Sequence, residues 1–206
     1  MNPTFRIHGY IGDGENTSEA VASFLAKHPG KAVDVIVNSP GGDALEGGAI
    51  LAELQAHGRA RCIVRGLAAS SASFLLCGAD VIVMHKAALL MLHSPWTMTV
   101  GDADAHHQTA VLLEKVGATD AAIYASASGN PVALVQGWLK EELWLSADEA
   151  VALGFADAVE TAGEGEDPPA HDYSAFGGAP EDLKLLARTK GWVAQPPKRQ
   201  METSNA

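Results

Sequence analysis

Short apolar runs of strand length alternate with helical segments as far as residue 159, and this alternation constrains the fold more than any other feature. The run Ala32-Val33-Asp34-Val35-Ile36-Val37 is rich in β-branched residues and ends at Asn38-Ser39-Pro40-Gly41-Gly42, after which residues 44–56 carry a helical pattern. The same order repeats over residues 60–84. Strands that alternate with helices predict an α/β layer fold with mostly parallel strands.

Capping residues predict where several helices begin. Three helix starts are predicted from the pairs Asn16 with Glu19, Asn130 with Pro131, and Ser146 with Glu149. Residues 102–128 lack an internal breaker apart from Gly117, so they predict one long helix. Gly58 is predicted to end the helix that follows the glycine turn at 41–42.

A change in composition divides the chain near residue 160. With 47% hydrophobic residues among 206, the chain is able to bury one full core. After Val159 the sequence continues as Thr-Ala-Gly-Glu-Gly-Glu-Asp-Pro-Pro, which is typical of a linker. We therefore expect a globular domain over 1–160 and an acidic, Pro- and Gly-rich linker and tail over 161–206, with one short amphipathic helix at 181–190.

Charge and hydropathy exclude two classes of partner. The formal net charge of −11 argues against nucleic-acid binding, because phosphate contacts need clustered Lys and Arg. The N-terminus lacks a basic segment followed by an apolar one, and no apolar stretch is long enough to span a bilayer. The sequence thus predicts a cytoplasmic protein of a bacterium or of a phage-infected host cell, with no nucleic-acid or membrane partner.

The sequence predicts neither a metal site nor a cofactor. Cys62 and Cys77 lie among apolar neighbours and are expected to be reduced and buried. His106-His107 is the only close pair of potential ligands, and adjacent residues of a helix point about 100° apart. Because no Gly-rich phosphate loop with a following Lys occurs, the chain is expected to be independent of ATP by itself.

Three turns that follow predicted strands carry the residue types of nucleophilic catalysis. Ser70 lies in Gly66-Leu67-Ala68-Ala69-Ser70-Ser71, His93 lies in Met91-Leu92-His93-Ser94-Pro95, and Gly41-Gly42 ends the strand at 33–37. Since functional side chains of α/β folds collect at strand ends, we expect these turns to converge. A hydroxyl, an imidazole and backbone amides are groups that nucleophilic catalysis uses, so the joint occurrence of these turns favours a catalytic site.

In this order and spacing the three motifs, together with Leu145-Ser146-Ala147-Asp148-Glu149-Ala150, resemble the proteolytic subunit family of the Clp protease, a group of serine peptidases. The resemblance covers about residues 5–159. It implies a ClpP/crotonase-type fold of repeated ββα units, in which residues 102–128 form the long handle helix that joins stacked rings.

The resemblance also implies roles for individual residues. Ser70 corresponds to the nucleophile, His93 to the general base, and the amides of Gly42 and Ser71 to the oxyanion hole. The turns at Gly41-Gly42 and Ser94-Pro95 are then expected to contact the substrate.

The residue expected to orient the histidine departs from the family pattern. Where the family has an aspartate, this chain has Glu142 within Lys140-Glu141-Glu142-Leu143-Trp144, and a glutamate serves the same role in other triads. Glu141 takes its place if the alignment shifts by one residue. Asp157 matches a family aspartate outside the triad and is expected to be structural.

The same departure resembles one branch of the family. Glutamate before Trp-Leu-Ser, a short chain and an acidic tail resemble the Clp-related head-maturation proteases of tailed phages and prophages. This resemblance implies capsid or scaffold polypeptides as substrates. The family resemblance further implies a ring-type homo-oligomer and a separate ATPase as a possible partner.

Four other interpretations remain open from the sequence. In the first, the chain is a housekeeping Clp subunit. In the second, it is a crotonase-like enzyme that stabilises the enolate of an acyl-CoA at a two-amide site. A Ser-Lys dyad would have Lys86 as its only nearby lysine. An inactive capsid-associated scaffold would instead bind its partner through the tail that begins at about Thr161.

Overall fold

The computed structural model describes residues 1–162 and 165–193. In chain order its elements are β1 Thr4–His8, α1 Ser18–Ala26, β2 Val33–Ser39, α2 Ala44–His57, β3 Ala60–Ala69, α3 Ser71–Leu76, β4 Val81–His85, β5 Leu89–Leu92, α4 Ala103–Ser128, α5 Val132–Glu141, β6 Leu143–Ser146, α6 Ala147–Ala152, β7 Ala158–Glu160 and α7 Glu181–Thr189. The predicted α/β fold is confirmed. The described residues divide into two compact units, one that ends at Pro169 and one that begins at Ala170.

The sheet of the first unit is mainly parallel and branches at β3. Its strands follow the order β1-β2-β3-β4-β7, all of them parallel. The first half of the ten-residue β3 pairs with β4, and its last residues, Leu67–Ala69, pair with β5. Strand β6 then runs antiparallel to β5. The carboxyl ends of β2, β3 and β5 therefore lie at one edge of the sheet.

A buried asparagine fixes the backbone where the pairing of β2 with β3 becomes irregular. The register shifts between Val37 and Ser39, and Oδ1 of Asn38 accepts a hydrogen bond of 3.0 Å from the Leu67 N–H. A Cβ atom at Gly66 would lie 2.5 Å from that oxygen, so only glycine fits there. Nδ2 of Asn38 donates to the carbonyl of Asp167 at 2.9 Å, which ties the segment at 165–169 to the sheet.

The hydrophobic core of the first unit lies between the sheet and the helices packed on it. Its largest fully buried side chains include Ile7, Ile50, Leu54, Leu75, Met84, Leu90 and Leu92. Burial of this apolar surface is the main favourable contribution to folding.

The long helix α4 contributes to the core only through its C-terminal third. Its buried residues are Ala121, Tyr124 and Ala125, and its N-terminal part leaves Val111 and Leu112 exposed. The segment before the helix also exposes three large apolar side chains, Trp96, Met98 and Val100. In a single chain, therefore, none of the described residues covers this apolar face.

Two of the predicted helix starts are wrong by one residue. Thr17, not Asn16, precedes α1 and accepts from the Ala20 N–H, while Asn16 binds both the N–H and the carbonyl of His8. Asn130 likewise donates to the carbonyl of Leu153 at 2.7 Å, and α5 begins after Pro131. In both cases the asparagine that was predicted to cap a helix instead forms hydrogen bonds with a backbone group outside that helix. The capping box of Ser146 with Glu149 is confirmed.

The second unit contains a 3₁₀ turn at Tyr173–Ala175 and the helix α7 at Glu181–Thr189. The rings of Tyr173 and Trp192 meet edge to face with their centroids 6.4 Å apart. A domain boundary at residue 160 stays a prediction. None of the helices in the described ranges combines the length and the apolar character that a bilayer crossing requires.

Candidate active site

Sheet topology brings the three turns that carry Gly41, Ser70 and His93 to the same edge. Each turn directly follows a parallel strand, and the last residues of these strands are paired, Ser39 with Ala68 and Ala69 with Met91. The N–H of Ser70 donates to the carbonyl of Met91 at 3.0 Å, which ties the turn after β3 to the end of β5.

Ser70, the predicted nucleophile, has a strained backbone at the turn from β3 to α3. Its φ of 56° and ψ of −129° make it one of only two non-glycine residues with positive φ in the described ranges. Strain of this kind is common where a serine is presented at a sharp strand-to-helix turn. Gly41 packs directly against it, since a Cβ atom at 41 would lie 2.6 Å from the Cβ of Ser70.

The buried hydroxyl groups of Ser73 and Tyr124 form hydrogen bonds that hold this turn in place. Oγ of Ser73 lies 2.7 Å from the Ser70 carbonyl, 2.8 Å from the Met91 carbonyl and 2.7 Å from the hydroxyl of Tyr124. Burial raises the pKa of Tyr124 well above its usual value, so its hydroxyl stays protonated and is able to donate to Ser73. The single proton of Ser73 is then directed to one of the two carbonyls. Sequence analysis missed both residues.

Replacing Tyr124 with phenylalanine is expected to lower the free energy of unfolding by about 1 kcal/mol, because one buried hydrogen bond to Ser73 is lost. Urea denaturation measures the change. The matched comparison is Ser73→Ala alone and combined with Tyr124→Phe, since two bonded groups lose less together than the sum of the single losses. Strictly additive losses would contradict the pairing.

His93 follows β5 and lies within hydrogen-bond distance of Ser70. Its Nε2 is 2.7 Å from the Oγ of Ser70, so with the ring proton on Nδ1 this nitrogen accepts from the hydroxyl. Burial lowers the pKa of His93 below its ordinary value, and the negative charge of Glu142 partly opposes that shift. The imidazole is therefore mostly neutral near pH 7, which is the form that takes up a proton.

The antiparallel pairing of β5 with β6 brings Glu142 next to His93. Leu92 is paired with Leu143, so His93 and Glu142 are the next residues outward in the same register. Glu142 has a left-handed backbone with φ of 59°, and its Oε1 accepts a hydrogen bond of 3.0 Å from Nε1 of Trp144. Glu141 is the last residue of α5 and is exposed.

Two backbone amides beside Ser70 have no acceptor within residues 1–162 and 165–193. The bridge between Gly42 and Ile11 is formed by hydrogen bonds of the residues on either side of Gly42, so the Gly42 N–H takes part in none of them. Ser71 is the first residue of α3, where an N–H group has no acceptor inside the helix. A Cβ atom at Gly42 would lie 2.2 Å from the carbonyl oxygen of Ile11, so the close approach requires glycine. These amides are the predicted oxyanion donors.

A small cavity opens directly at Ser70 and His93. Its lining consists of Ala44, Ser70, Ser71, Phe74, His93, Pro95, Asp120 and Tyr124. Of the residues predicted to contact the substrate, Pro95 lies in this lining, and Ser94 and Pro95 also line a neighbouring groove between α4 and α5. The contributions of Asp120 and Tyr124 from α4 were not predicted.

The remaining candidates from the sequence lie outside this cavity. Lys86 is exposed in the turn between β4 and β5. Asp157 accepts a hydrogen bond of 2.7 Å from the Ile82 N–H, which is a structural role. Burial raises the pKa of Cys62 and of Cys77 to about 12, so both thiols stay protonated. No group of three potential metal ligands occurs in the part of the chain that the structure describes.

Comparisons with known proteins find relatives of this chain. The family model for Clp protease matches residues 13–163. The ATP-dependent Clp protease proteolytic subunit of Solanum tuberosum is 32% identical over 138 residues, which cover 65% of this chain and 70% of that protein. The proteolytic subunit 1 of Chlamydia caviae is 29% identical over 143 residues, covering 64% of this chain and 72% of that protein. The matched segment includes Ser70, His93 and Glu142.

Proposed function

The chain belongs to the Clp protease family and is a serine-type peptidase, and from this premise we propose that Ser70, His93 and Glu142 are its catalytic triad. We propose in addition that the amides of Gly42 and Ser71 form its oxyanion hole. The observation that carries the proposal is the distance of 2.7 Å between the Ser70 Oγ and the His93 Nε2, at a turn whose strained backbone presents the serine.

The reaction begins when His93 takes the proton of the Ser70 hydroxyl while Oγ attacks the carbonyl carbon of a peptide bond. The carbonyl oxygen becomes negatively charged and accepts hydrogen bonds from the Gly42 and Ser71 amides. Loss of one such donor typically costs about 10²–10³ in kcat, so the pair is a large part of the rate enhancement.

Proton return completes the cleavage. The protonated His93 gives its proton to the nitrogen of the leaving amine as the carbon–nitrogen bond breaks, and an acyl-Ser70 ester remains. Water then attacks the ester, His93 takes a proton from that water, and Ser70 regains its proton when the acid is released. The carboxylate of Glu142 stabilises the imidazolium that forms in each half of the reaction.

For the natural substrates we propose capsid or scaffold polypeptides that are cut during phage head maturation. The support is the resemblance to head-maturation proteases carried by Glu142-Leu143-Trp144-Leu145-Ser146. A housekeeping role beside a separate ATPase is the second candidate, because the relatives are described as subunits of an ATP-dependent protease. We propose a cytoplasmic location for both roles, in a bacterium or in a phage-infected host cell.

We also propose that the chain assembles into a ring-type homo-oligomer. The exposed apolar side chains Trp96, Met98 and Val100, together with Leu112 on the long helix, support this proposal. Exposed apolar surface of this kind marks an interaction face.

A fluorophosphonate probe tests the proposed nucleophile. We expect one phosphonyl group on the wild-type chain, located on Ser70 by peptide mapping, and none on Ser70→Ala. Intact mass of both purified proteins, with cleavage of casein and of a capsid precursor, shows whether self-processing or substrate cleavage depends on Ser70. A crotonase-like enzyme and an inactive scaffold both predict an unlabelled Ser70 at high probe concentration.

A further inference from the structure

The cavity at Ser70 contains a carboxylate that the proposed reaction does not use. Asp120, on the C-terminal third of α4, lies in the same lining as Ser70 and His93. In the described part of the chain its side chain has neither a hydrogen-bond partner nor an ion-pair partner, and it is only partly exposed. Burial raises its pKa to about 6, and no neighbouring cation offsets that shift.

Apolar surface forms part of the wall around Asp120, beside the polar residues Ser70, Ser71 and His93. Phe74, Pro95 and the ring of Tyr124 line the cavity, and the hydroxyl of Tyr124 is already bonded to Ser73. A cavity that combines apolar wall surface with an unpaired carboxylate complements a side chain that has an apolar stem and a cationic head. Lysine and arginine are the two amino acids of that description.

The position of the cavity identifies which residue of a substrate would enter it. The attacked carbonyl carbon must lie at the Oγ of Ser70, with its oxygen near the amides of Gly42 and Ser71. The side chain of the residue that supplies this carbonyl branches from the adjacent carbon, and the cavity opens at Ser70 and Ser71. That side chain is therefore placed to enter the cavity that Asp120 lines.

We propose that Asp120 selects lysine or arginine as the residue on the carbonyl side of the cleaved bond. The inference rests on the proposed function of Ser70 and specifies its substrates as polypeptides cut after basic residues. A bound ammonium or guanidinium group supplies the partner that Asp120 lacks, and a charge-assisted hydrogen bond in a half-buried site is stronger than one between neutral groups.

Paired peptide substrates test the selection. Two peptidyl-coumarin amides differ only in lysine against norleucine at the cleaved residue, so they share an unbranched stem and differ in charge. We expect wild type to prefer lysine by about 10- to 100-fold in kcat/KM. Asp120→Asn keeps the shape of the side chain and removes its charge, so it should bring the ratio of kcat/KM for the lysine and norleucine peptides near one.

The matched control is Asp104→Asn, the same substitution on the exposed first turn of α4, about 24 Å away along the helix axis. It should leave the lysine preference unchanged. Peptidyl diphenyl phosphonates that carry lysine or norleucine at the same position give a second measure of the preference. Their readout is the rate at which Ser70 is modified, which does not require turnover.

The outcomes separate the inference from the function on which it rests. Labelling of Ser70 without a lysine preference in wild type would overturn the selection by Asp120 and leave the peptidase proposal intact. A lysine preference that persists in Asp120→Asn would also overturn the inference. If fluorophosphonate does not label Ser70, the proposed function fails, and the inference fails with it.

Discussion

Replacing His93 with glutamine is expected to lower kcat on a peptide substrate by about 10⁶-fold, because no other base within residues 1–162 and 165–193 forms a hydrogen bond with the Ser70 hydroxyl. The Nε2 of His93 lies 2.7 Å from the serine oxygen, and burial keeps the pKa of the ring below its ordinary value. Glutamine retains a polar side chain of similar reach but does not act as a base. Steady-state turnover of a fluorogenic peptide and the rate of Ser70 labelling by fluorophosphonate both measure the loss.

The control for this variant is His106→Gln, the same substitution at an exposed position of α4. It should retain wild-type turnover, and both variants should keep the thermal midpoint of the parent within a few degrees. A His93→Gln enzyme that keeps most of its activity would rule out His93 as the base. It would then favour a peptidase mechanism without a Ser-His pair, such as the Ser-Lys dyad.

The order of strands and helices was predictable because the residues that begin and end helices in this sequence act locally and are easy to recognise. Gly58 has the left-handed backbone with φ of 65° that ends α2, and the pair Ser146 with Glu149 caps α6 as predicted. Local signals do not report which distant groups compete for the same side chain. Asn16 and Asn130 were assigned to helix ends, and each instead binds a backbone group from another part of the chain.

The meeting of Ser70 with His93 was also predictable, because it needs only the rule that parallel strands end at one edge of their sheet. The branch of β3 makes this possible, since its last residues pair with β5 after its first half has paired with β4. Glu142 could be selected only through the family resemblance. The structure supplies its physical reason, the antiparallel register of β6 against β5.

Asp120 and Tyr124 could not be predicted as cavity residues. Both lie on α4, most of which does not pack on the core, so the sequence of that helix carries little periodic signal for its buried face. Which side of the helix turns toward Ser70 is decided by how its last third docks on the sheet. Tertiary packing therefore adds to the cavity a carboxylate that no short motif marks.

Replacing Glu142 with glutamine is expected to lower the maximal kcat by about 10³–10⁴-fold, because the imidazolium formed in the transition state loses its counter-charge. The change is nearly isosteric, and the amide oxygen still accepts from the Nε1 of Trp144. The pH dependence of kcat/KM should change as well. Since the charge of Glu142 raises the pKa of His93 against the larger effect of burial, its removal lowers that pKa further.

The active form of His93 is neutral, so a lower pKa shifts the acidic limb of kcat/KM to lower pH while the plateau falls. Measuring kcat/KM against pH for wild type and Glu142→Gln separates the two effects, because a merely destabilised enzyme would lose activity without this shift. Glu141→Gln is the matched variant, an exposed carboxylate one residue earlier, and should change neither the plateau nor the limb. An acidic limb that moves to higher pH in Glu142→Gln, or a large loss in Glu141→Gln instead, would show that Glu142 does not act on the imidazole.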